Sequence, residues 1–315
     1  VYFEGHVGLP GYYLASVGDM IIMPPMGTVS HFGLSLNIKK ASQFFKNIGI
    51  NTTVFTSGKH KAASGLNSPS LTALHREQLR TVLEDMFQHS LAHIETNRNE
   101  IEEGLKQISN GSMVTAKEAK KMGFVDRLAY WPEVHEIVDD FGEKVEKVGL
   151  ESFAEIKYPT VYQMFNKIGV IEVDGPIMLG DNTTNILFGG DTTGADEFDE
   201  VVNKVKSNKA IKGVVLRINS PGGSVLASDR IYTAVNKLKK SGKKVYTSMG
   251  AIATSGGYYI AANSDKIYAN GASLTGSIGV VSSITSFNSL QKELGISQES
   301  IKTGKIEKID IKRES

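Results

Sequence analysis

No cysteine occurs among the 315 residues. That excludes a disulfide framework, a cysteine-ligated zinc or iron–sulfur site, and a thiol nucleophile. It leaves the compartment open, because a thiol-free chain suits reducing and oxidising surroundings alike. No apolar run approaches the roughly 18–20 residues that span a bilayer; the longest candidates, such as Met20–Pro25, are strand-length. No secretory signal peptide is visible. An excess of one charge is lacking too: Lys+Arg 35 against Asp+Glu 34 leaves +1 and no basic block stands out, so no nucleic-acid partner is expected. What remains is an ordinary globular composition, 40% hydrophobic and 22% charged, in a chain long enough for two domains of about 150 residues. Val1 is not a methionine and is followed at once by strand-like sequence, so the parent protein is expected to extend further.

The chain repeats itself. Shifted by 246 residues, Gly11-Tyr12-Tyr13-Leu14-Ala15 falls on Gly257-Tyr258-Tyr259-Ile260-Ala261, Asp19 on Asp265, Gly33 on Gly279, Gly49-Ile50 on Gly295-Ile296 and Gly58-Lys59 on Gly304-Lys305. From position 11 to 61 no gap is needed and 13 of 51 positions are identical. Glycines at fixed offsets mark a duplicated domain rather than scattered coincidence. The registration predicts residues 1–150 as the later part of a first repeat, 151–167 as a linker, and 168–315 as the earlier part of a second.

Periodicity gives the coarse elements. In the first repeat it predicts helices over Tyr12–Val17 and Ile38–Ile48, strands over Met20–Met23 and Thr52–Phe55, and a short helix over Thr115–Met122. A long helix is expected from Ser68-Pro69, with Ser68 as N-cap, Pro69 at the first helical position, and a stripe from Leu71 to Ile94. In the second repeat, strands at Ile168–Val173, Gly213–Ile218, Lys244–Ser248 and Lys266–Tyr268 alternate with helices at Ala195–Lys206, Leu226–Lys240 and Ser255–Ala262. That alternation reads as α/β with a mostly parallel sheet.

Two glycine-rich turns follow strands in the second repeat: Asn219-Ser220-Pro221-Gly222-Gly223-Ser224 and Ala253-Thr254-Ser255-Gly256-Gly257. The second sets a serine between a strand and a helix start, close to the nucleophile elbow G-x-S-x-G with Ala253 in the first glycine place. Gly256 N–H, with a second donor from the Gly222/Gly223 turn, could hold an oxyanion. Both turns also fit a purely steric reading, and a phosphate-loop reading fails for want of a Gly-Lys-Ser/Thr. The seven histidines (His6, His31, His60, His75, His89, His93 and His135) all lie outside the second repeat, and structural roles are expected for those on the long helix. Lysine is the other base that serine chemistry uses.

Arg217-x-Asn219-Ser220-Pro221-Gly222-Gly223-Ser224, Ser255-Gly256-Gly257-Tyr258-Tyr259 and Leu274-Thr275-Gly276-Ser277-Ile278-Gly279, in that order, closely resemble the signal peptide peptidase A (protease IV) family of Ser-Lys peptidases. Tyr12-Tyr13-Leu14-Ala15-Ser16, Gly58-Lys59-His60-Lys61 and Ala119–Asp126 resemble the first half of its two-repeat form. The resemblance implies a ClpP/crotonase-like spiral of ββα units, duplicated, with an added helical segment in the first repeat. It implies Ser255 as nucleophile, Lys61 as general base, Ser277 as the residue orienting that base, and Gly256, Gly222 and Gly223 as the oxyanion site. The repeat agrees: Leu9 stands opposite Ser255 and Glu307 opposite Lys61, so each repeat has kept one half of a dyad. Lys308 is a rival base one residue out of register. At an ordinary pKa near 10.4 about one lysine in a thousand is neutral at pH 7.4, so a working base needs roughly 3–4 kcal/mol of help, mostly desolvation. No carboxylate lies within ten residues of Lys61. His60 stands where an aromatic is expected, as a packing substitute or an auxiliary acid–base group.

By the same resemblance the substrates are cleaved signal peptides and other hydrophobic, extended peptides, and no metal or cofactor is needed. The resemblance further implies a bacterial inner-membrane protein with its catalytic part on the periplasmic, extracytoplasmic side, an N-terminal anchor outside this sequence, and a homo-oligomer, a tetramer. Two other classes remain open at this point: a crotonase-type acyl-CoA enzyme on the same fold, and a catalytically inactive envelope scaffold.

Overall fold

The structure is a computed structural model that describes residues 1–58, 61, 68–98, 101–139, 149, 152, 166–184, 190–297, 299, 301 and 303. The linker expected over 151–167 lies almost wholly outside the described residues, as do His60 and Lys308.

In chain order the first elements are β1 (His6–Val7), α1 (Leu9–Ala15), β2 (Ile22–Met23), β3 (Thr28–Val29), α2 (Ser42–Asn47), β4 (Asn51–Ser57) and α3 (Ala73–Asn97). There follow α4 (Glu102–Ser109), β5 (Val114–Thr115), α5 (Ala116–Lys121), β6 (Arg127–Leu128) and α6 (Trp131–Asp139). The second repeat supplies β7 (Lys167–Asp174), β8 (Ile177–Met178), β9 (Thr183–Thr184), β10 (Asp191–Gly194), α7 (Ala195–Ser207), β11 (Ile211–Ser220) and α8 (Val225–Lys240). Last come β12 (Lys244–Thr254), α9 (Gly256–Ala261), β13 (Lys266–Tyr268), β14 (Leu274–Gly276), β15 (Val280–Ser286) and α10 (Asn288–Glu293).

The chain divides into two compact units, one formed by residues 1–37 and 73–279, the other by residues 38–72 and 280–315. The first is built on a parallel sheet in the order β13-β12-β11-β7, with β14 added on the late part of β12. Parallel strands need crossovers, and α7, α8 and α9 provide them. One sheet face carries Val214, Leu216 and Ile218 of β11 and Val245 and Met249 of β12, all buried against Phe198 and Val202 of α7 and Ile231, Val235 and Leu238 of α8. Arg217 and Asn219 alternate out of that face, so the period of two along β11 decides which residues reach solvent. A second core gathers Tyr12, Phe32 and Phe124 with Ile94 of α3 and Leu105 and Ile108 of α4. Buried Arg98 caps this core: it donates to Asp126 Oδ1 at 2.7 Å and to Gly123 O at 3.0 Å, while Asp126 Oδ2 accepts from Ile21 N at 2.7 Å. The second unit pairs β4 antiparallel with β15.

The duplication is written in the hydrogen-bond register. His6 pairs Thr28 and Val7 pairs Val29 where β1 meets β3; 246 residues on, Ile252 pairs Leu274 and Ala253 pairs Thr275 where β12 meets β14. The bridge Tyr2–Ile22 recurs as Ser248–Tyr268. α2 and α10 start and end 246 residues apart, and each is closed by a left-handed glycine, Gly49 at φ 76° and Gly295 at φ 72°.

Two sequence expectations shift. The long helix begins at Ala73, not at Ser68-Pro69, because Ser68 Oγ turns back on Ser70, donating to its carbonyl at 2.7 Å and accepting from its N–H at 3.4 Å. That local turn competes with helix initiation. Of its apolar stripe only Ile94 is fully buried, with Phe87 and Leu91 packed alongside the core. The helix expected over Ile38–Ile48 shortens to α2, leaving residues 38–41 outside any helix. The short helix near Thr115 is borne out with a full capping box: Thr115 Oγ1 accepts from Glu118 N, and Glu118 accepts from Thr115 N.

Candidate active site

Ser255 ends β12 and precedes α9, with φ 53° and ψ −117°. Such a backbone costs a side-chain-bearing residue about 1–3 kcal/mol. The repeat shows that the fold does not demand it. Leu9 occupies the same place before α1 and is not among the described residues with positive φ; its side chain is simply buried, at 2% exposure. Ser277 is the opposite case. Its φ of 49° is matched by its counterpart His31 at 59°, so that left-handed turn belongs to the duplicated scaffold. Among the described residues that have a counterpart in the other repeat, Ser255 is the one non-glycine whose positive φ its counterpart lacks.

The surroundings of Ser255 are close-packed backbone. Its N–H donates to Gly276 O at 2.9 Å, which brings the Gly276-Ser277 turn beside it, and its carbonyl accepts from Tyr259 N at 2.9 Å. Gly222, at φ 93°, lies against it: a Cβ there would sit 2.7 Å from Gly256 N, 2.8 Å from Ser255 Cβ and 2.9 Å from Thr254 O. Only glycine satisfies both the dihedral and the approach. Gly223 bridges Ile177 of β8, and a Cβ on it would run into the Ile177 carbonyl. Ile177 N donates to Gly222 O at 2.9 Å and Ser224 N to Ile177 O at 2.8 Å, so β8 fixes the turn from one side.

The two glycines of that turn are not equivalent. Gly222 N–H donates to Ser220 Oγ at 3.1 Å, while Ser220 Oγ donates to Gly175 O at 2.6 Å. Gly223 N–H makes no hydrogen bond among the described residues. Ser220, wholly buried, was not singled out by sequence reasoning as a brace, although it stands inside the Asn-Ser-Pro-Gly-Gly motif. Further braces are Thr254 Oγ1 to Pro221 O at 3.0 Å, Thr275 Oγ1 to Ala253 O at 2.9 Å and Asn219 Nδ2 to Asp174 Oδ1 at 2.9 Å.

The structure thus gathers Ser255, Gly256, Gly222, Gly223 and the turn carrying Ser277 in one unit. Lys61 belongs to the other unit, just past β4, where its N–H donates to Gly58 O at 3.1 Å. Desolvation pushes its ammonium below the ordinary lysine range. Four histidines have structural partners. His93 lies 4.4 Å ring to ring from Tyr13, His135 packs on Trp131, His6 and His31 stack edge to face, and His31 Nδ1 meets Ser30 Oγ at 2.6 Å. Among the described residues no cluster of three or more His, Asp or Glu is arranged to hold a metal ion, and no helix is long and apolar enough to cross a membrane.

Comparison with known proteins agrees with the motifs. The model of Peptidase family S49 matches residues 1–145 and 237–314. The chain is 28% identical over 316 residues to the chloroplastic serine protease SPPA of Arabidopsis thaliana, covering 95% of this chain and 45% of that protein. It is 30% identical over 312 residues to Protease 4 of Salmonella typhi, covering 95% and 50%, and 38% identical over 138 residues to a putative signal peptide peptidase SppA of Enterococcus faecium, covering 44% and 40%. The chain spans about half the length of the curated relatives it matches. The fold is the ClpP/crotonase-like α/β class expected from the sequence, with its sheets duplicated. Since one family's model matches most of the chain, in both repeats, the chain belongs to Peptidase family S49.

Proposed function

We propose that this chain carries the catalytic dyad of a serine endopeptidase, with Ser255 as nucleophile and Lys61 as general base. The observation that carries the reading is the backbone of Ser255, strained where its repeat counterpart Leu9 is not. Neutral Lys61 takes the Ser255 Oγ proton as Oγ bonds to the carbonyl carbon of the scissile peptide. The oxyanion so formed is held by Gly256 N–H at the start of α9 and by Gly223 N–H, the donor its turn leaves unengaged; Gly222 permits the close approach. The tetrahedral intermediate expels the amine, which receives the proton from Lys61 ammonium, leaving an acyl ester on Ser255. Water then attacks the ester, giving its proton to Lys61, and Oγ recovers a proton as the acid departs. Ser277 orients the neutral amine. The lowered affinity of Lys61 for protons supports this use.

The name of one relative, a putative signal peptide peptidase, supports peptide substrates of the signal-peptide class; hydrophobic, extended substrates and a site on the extracytoplasmic side of a bacterial inner membrane are what the family resemblance implies. The test is hydrolysis of a fluorogenic hydrophobic peptide by the unsubstituted protein, Ser255→Ala and Lys61→Ala. Loss of turnover in both, with the fold intact by circular dichroism, is expected. Turnover surviving Lys61→Ala would place the base elsewhere, and stabilisation by acyl-CoA without any peptide cleavage would favour the crotonase-type reading.

A further inference from the structure

The first repeat keeps the frame of the serine turn without its chemistry. At the places of Ser255 and Gly256 stand Leu9 and Pro10, an aliphatic side chain and an imide with no N–H to give. Around them the polarity is reversed. His6, Thr28, Ser30 and His31 occupy the places of Ile252, Leu274, Gly276 and Ser277. Two imidazoles and two hydroxyls gather where the second repeat has the single hydroxyl of Ser277.

These four side chains are ordered as a metal site is. His6, on β1, and His31, on the left-handed turn after β3, are both exposed, with ring centroids 5.2 Å apart and planes at 86°. Two imidazoles sharing one tetrahedral ion, at about 2.0–2.1 Å per bond, have centroids about 5 Å apart. His6 Nδ1 lies 3.1 Å from Thr28 Oγ1, and His31 Nδ1 lies 2.6 Å from Ser30 Oγ. With each Nδ1–H donating to its hydroxyl, each Nε2 keeps its lone pair, and neither Nε2 has a hydrogen bond among the described residues. A partner on the second ring nitrogen is what orients metal-binding histidines. The strand register, His6 opposite Thr28, and the φ of 59° at His31 set both rings on fixed backbone. No third His, Asp or Glu joins them among the described residues, which leaves the remaining coordination positions to water. The other close pair, His89 and His93 one turn apart on α3, is less suited. His93 stacks on Tyr13 at 4.4 Å, and its Nδ1 meets Asn97 Nδ2 at 3.1 Å.

We propose that His6 and His31 chelate a divalent first-row transition ion of the imidazole-seeking kind, such as zinc, through their two Nε2 atoms. The ion would tie β1 to the turn after β3, at the place in the first repeat where the second carries its serine turn. The inference is independent of the peptidase reading, and Ser255→Ala should bind the ion unchanged.

The test is calorimetric titration of the untagged, chelator-stripped protein with zinc chloride, beside His6→Gln, His31→Gln, Thr28→Val and His89→Gln. One zinc ion per chain is expected, with affinity at least about 10-fold lower in either His6→Gln or His31→Gln. Thr28→Val should also lose about 10-fold or more, because the orienting hydroxyl is gone while both imidazoles remain. His89→Gln should bind as the unsubstituted protein does. Zinc should raise the urea midpoint of the unsubstituted protein and not that of His31→Gln, since the folded chain alone holds the two rings together. Equal affinity in His6→Gln and the unsubstituted protein, or a loss confined to His89→Gln, would overturn the proposal. So would an unsubstituted protein that takes up no zinc.

Discussion

Replacing Ser255 with glycine should make the protein inactive and more stable than replacing it with alanine. Both substitutions remove Oγ. Alanine keeps a Cβ at φ 53° and ψ −117°, whereas glycine removes it and with it about 1–3 kcal/mol of strain. Glycine gives back about 0.5–1 kcal/mol through the freedom of the unfolded chain. The net advantage of Ser255→Gly over Ser255→Ala is about 0–2.5 kcal/mol, read as a shift of urea midpoint at unchanged slope. At an unstrained site the order reverses, since alanine is ordinarily the more stable by about 0.5–1 kcal/mol. Leu9 supplies the internal comparison: Leu9→Gly should be markedly less stable, because a buried side chain there leaves a cavity worth about 2–5 kcal/mol. If Ser255→Gly is less stable than Ser255→Ala, Ser255 stores no strain and the argument for it as a nucleophile elbow fails.

Gly222→Ala should lower peptide hydrolysis about 100-fold or more in a folded protein, since the new methyl group would press on Ser255 Cβ and Gly256 N. Gly242→Ala, at a similar φ of 86° with nothing within 4 Å, should cost about 1 kcal/mol of stability and no activity. Ser220→Ala should lower kcat more than it raises KM and cost about 1–3 kcal/mol in chemical denaturation, because it strips the acceptor from Gly222 N–H and the donor from Gly175 O. The rate of acylation should rise with pH and level off, with a midpoint below the ordinary lysine value, because the deprotonated amine is the working form and desolvation favours it. Stability should follow the same sign: between the depressed folded value and the ordinary one the unfolded chain binds more protons, so unfolding becomes harder as pH climbs through that window. A flat profile, or a midpoint above the ordinary lysine range, would contradict Lys61 as base.

Much of this was legible in the sequence because the duplication preserved spacing. The 246-residue shift, found from Gly-Tyr-Tyr and a few other glycines, reappears as identical strand register in β1–β3 and β12–β14. The parallel strands were visible as short apolar runs, and the serine turn as a motif. Other features were hidden for physical reasons. Ser68 and Pro69 carry good helix-start chemistry, but the Ser68 hydroxyl is spent on a local turn. β15 pairs with a strand more than 200 residues away, a partner no local pattern announces. The inequality of Gly222 and Gly223 depends on which N–H meets the Ser220 hydroxyl, and composition does not encode that. The conformation of Ser255 became informative only against Leu9, since strain at one site means more when the duplicate lacks it.

The most direct measurement is covalent labelling by a fluorophosphonate, followed by intact mass and peptide mapping, of the unsubstituted protein and Lys61→Met. The account predicts a single adduct on Ser255, formed quickly in the unsubstituted protein and at least about 100-fold more slowly in Lys61→Met, the scale of general-base assistance. An adduct on another residue, or equally fast labelling of Ser255 without Lys61, would contradict a dyad assembled from the two repeats.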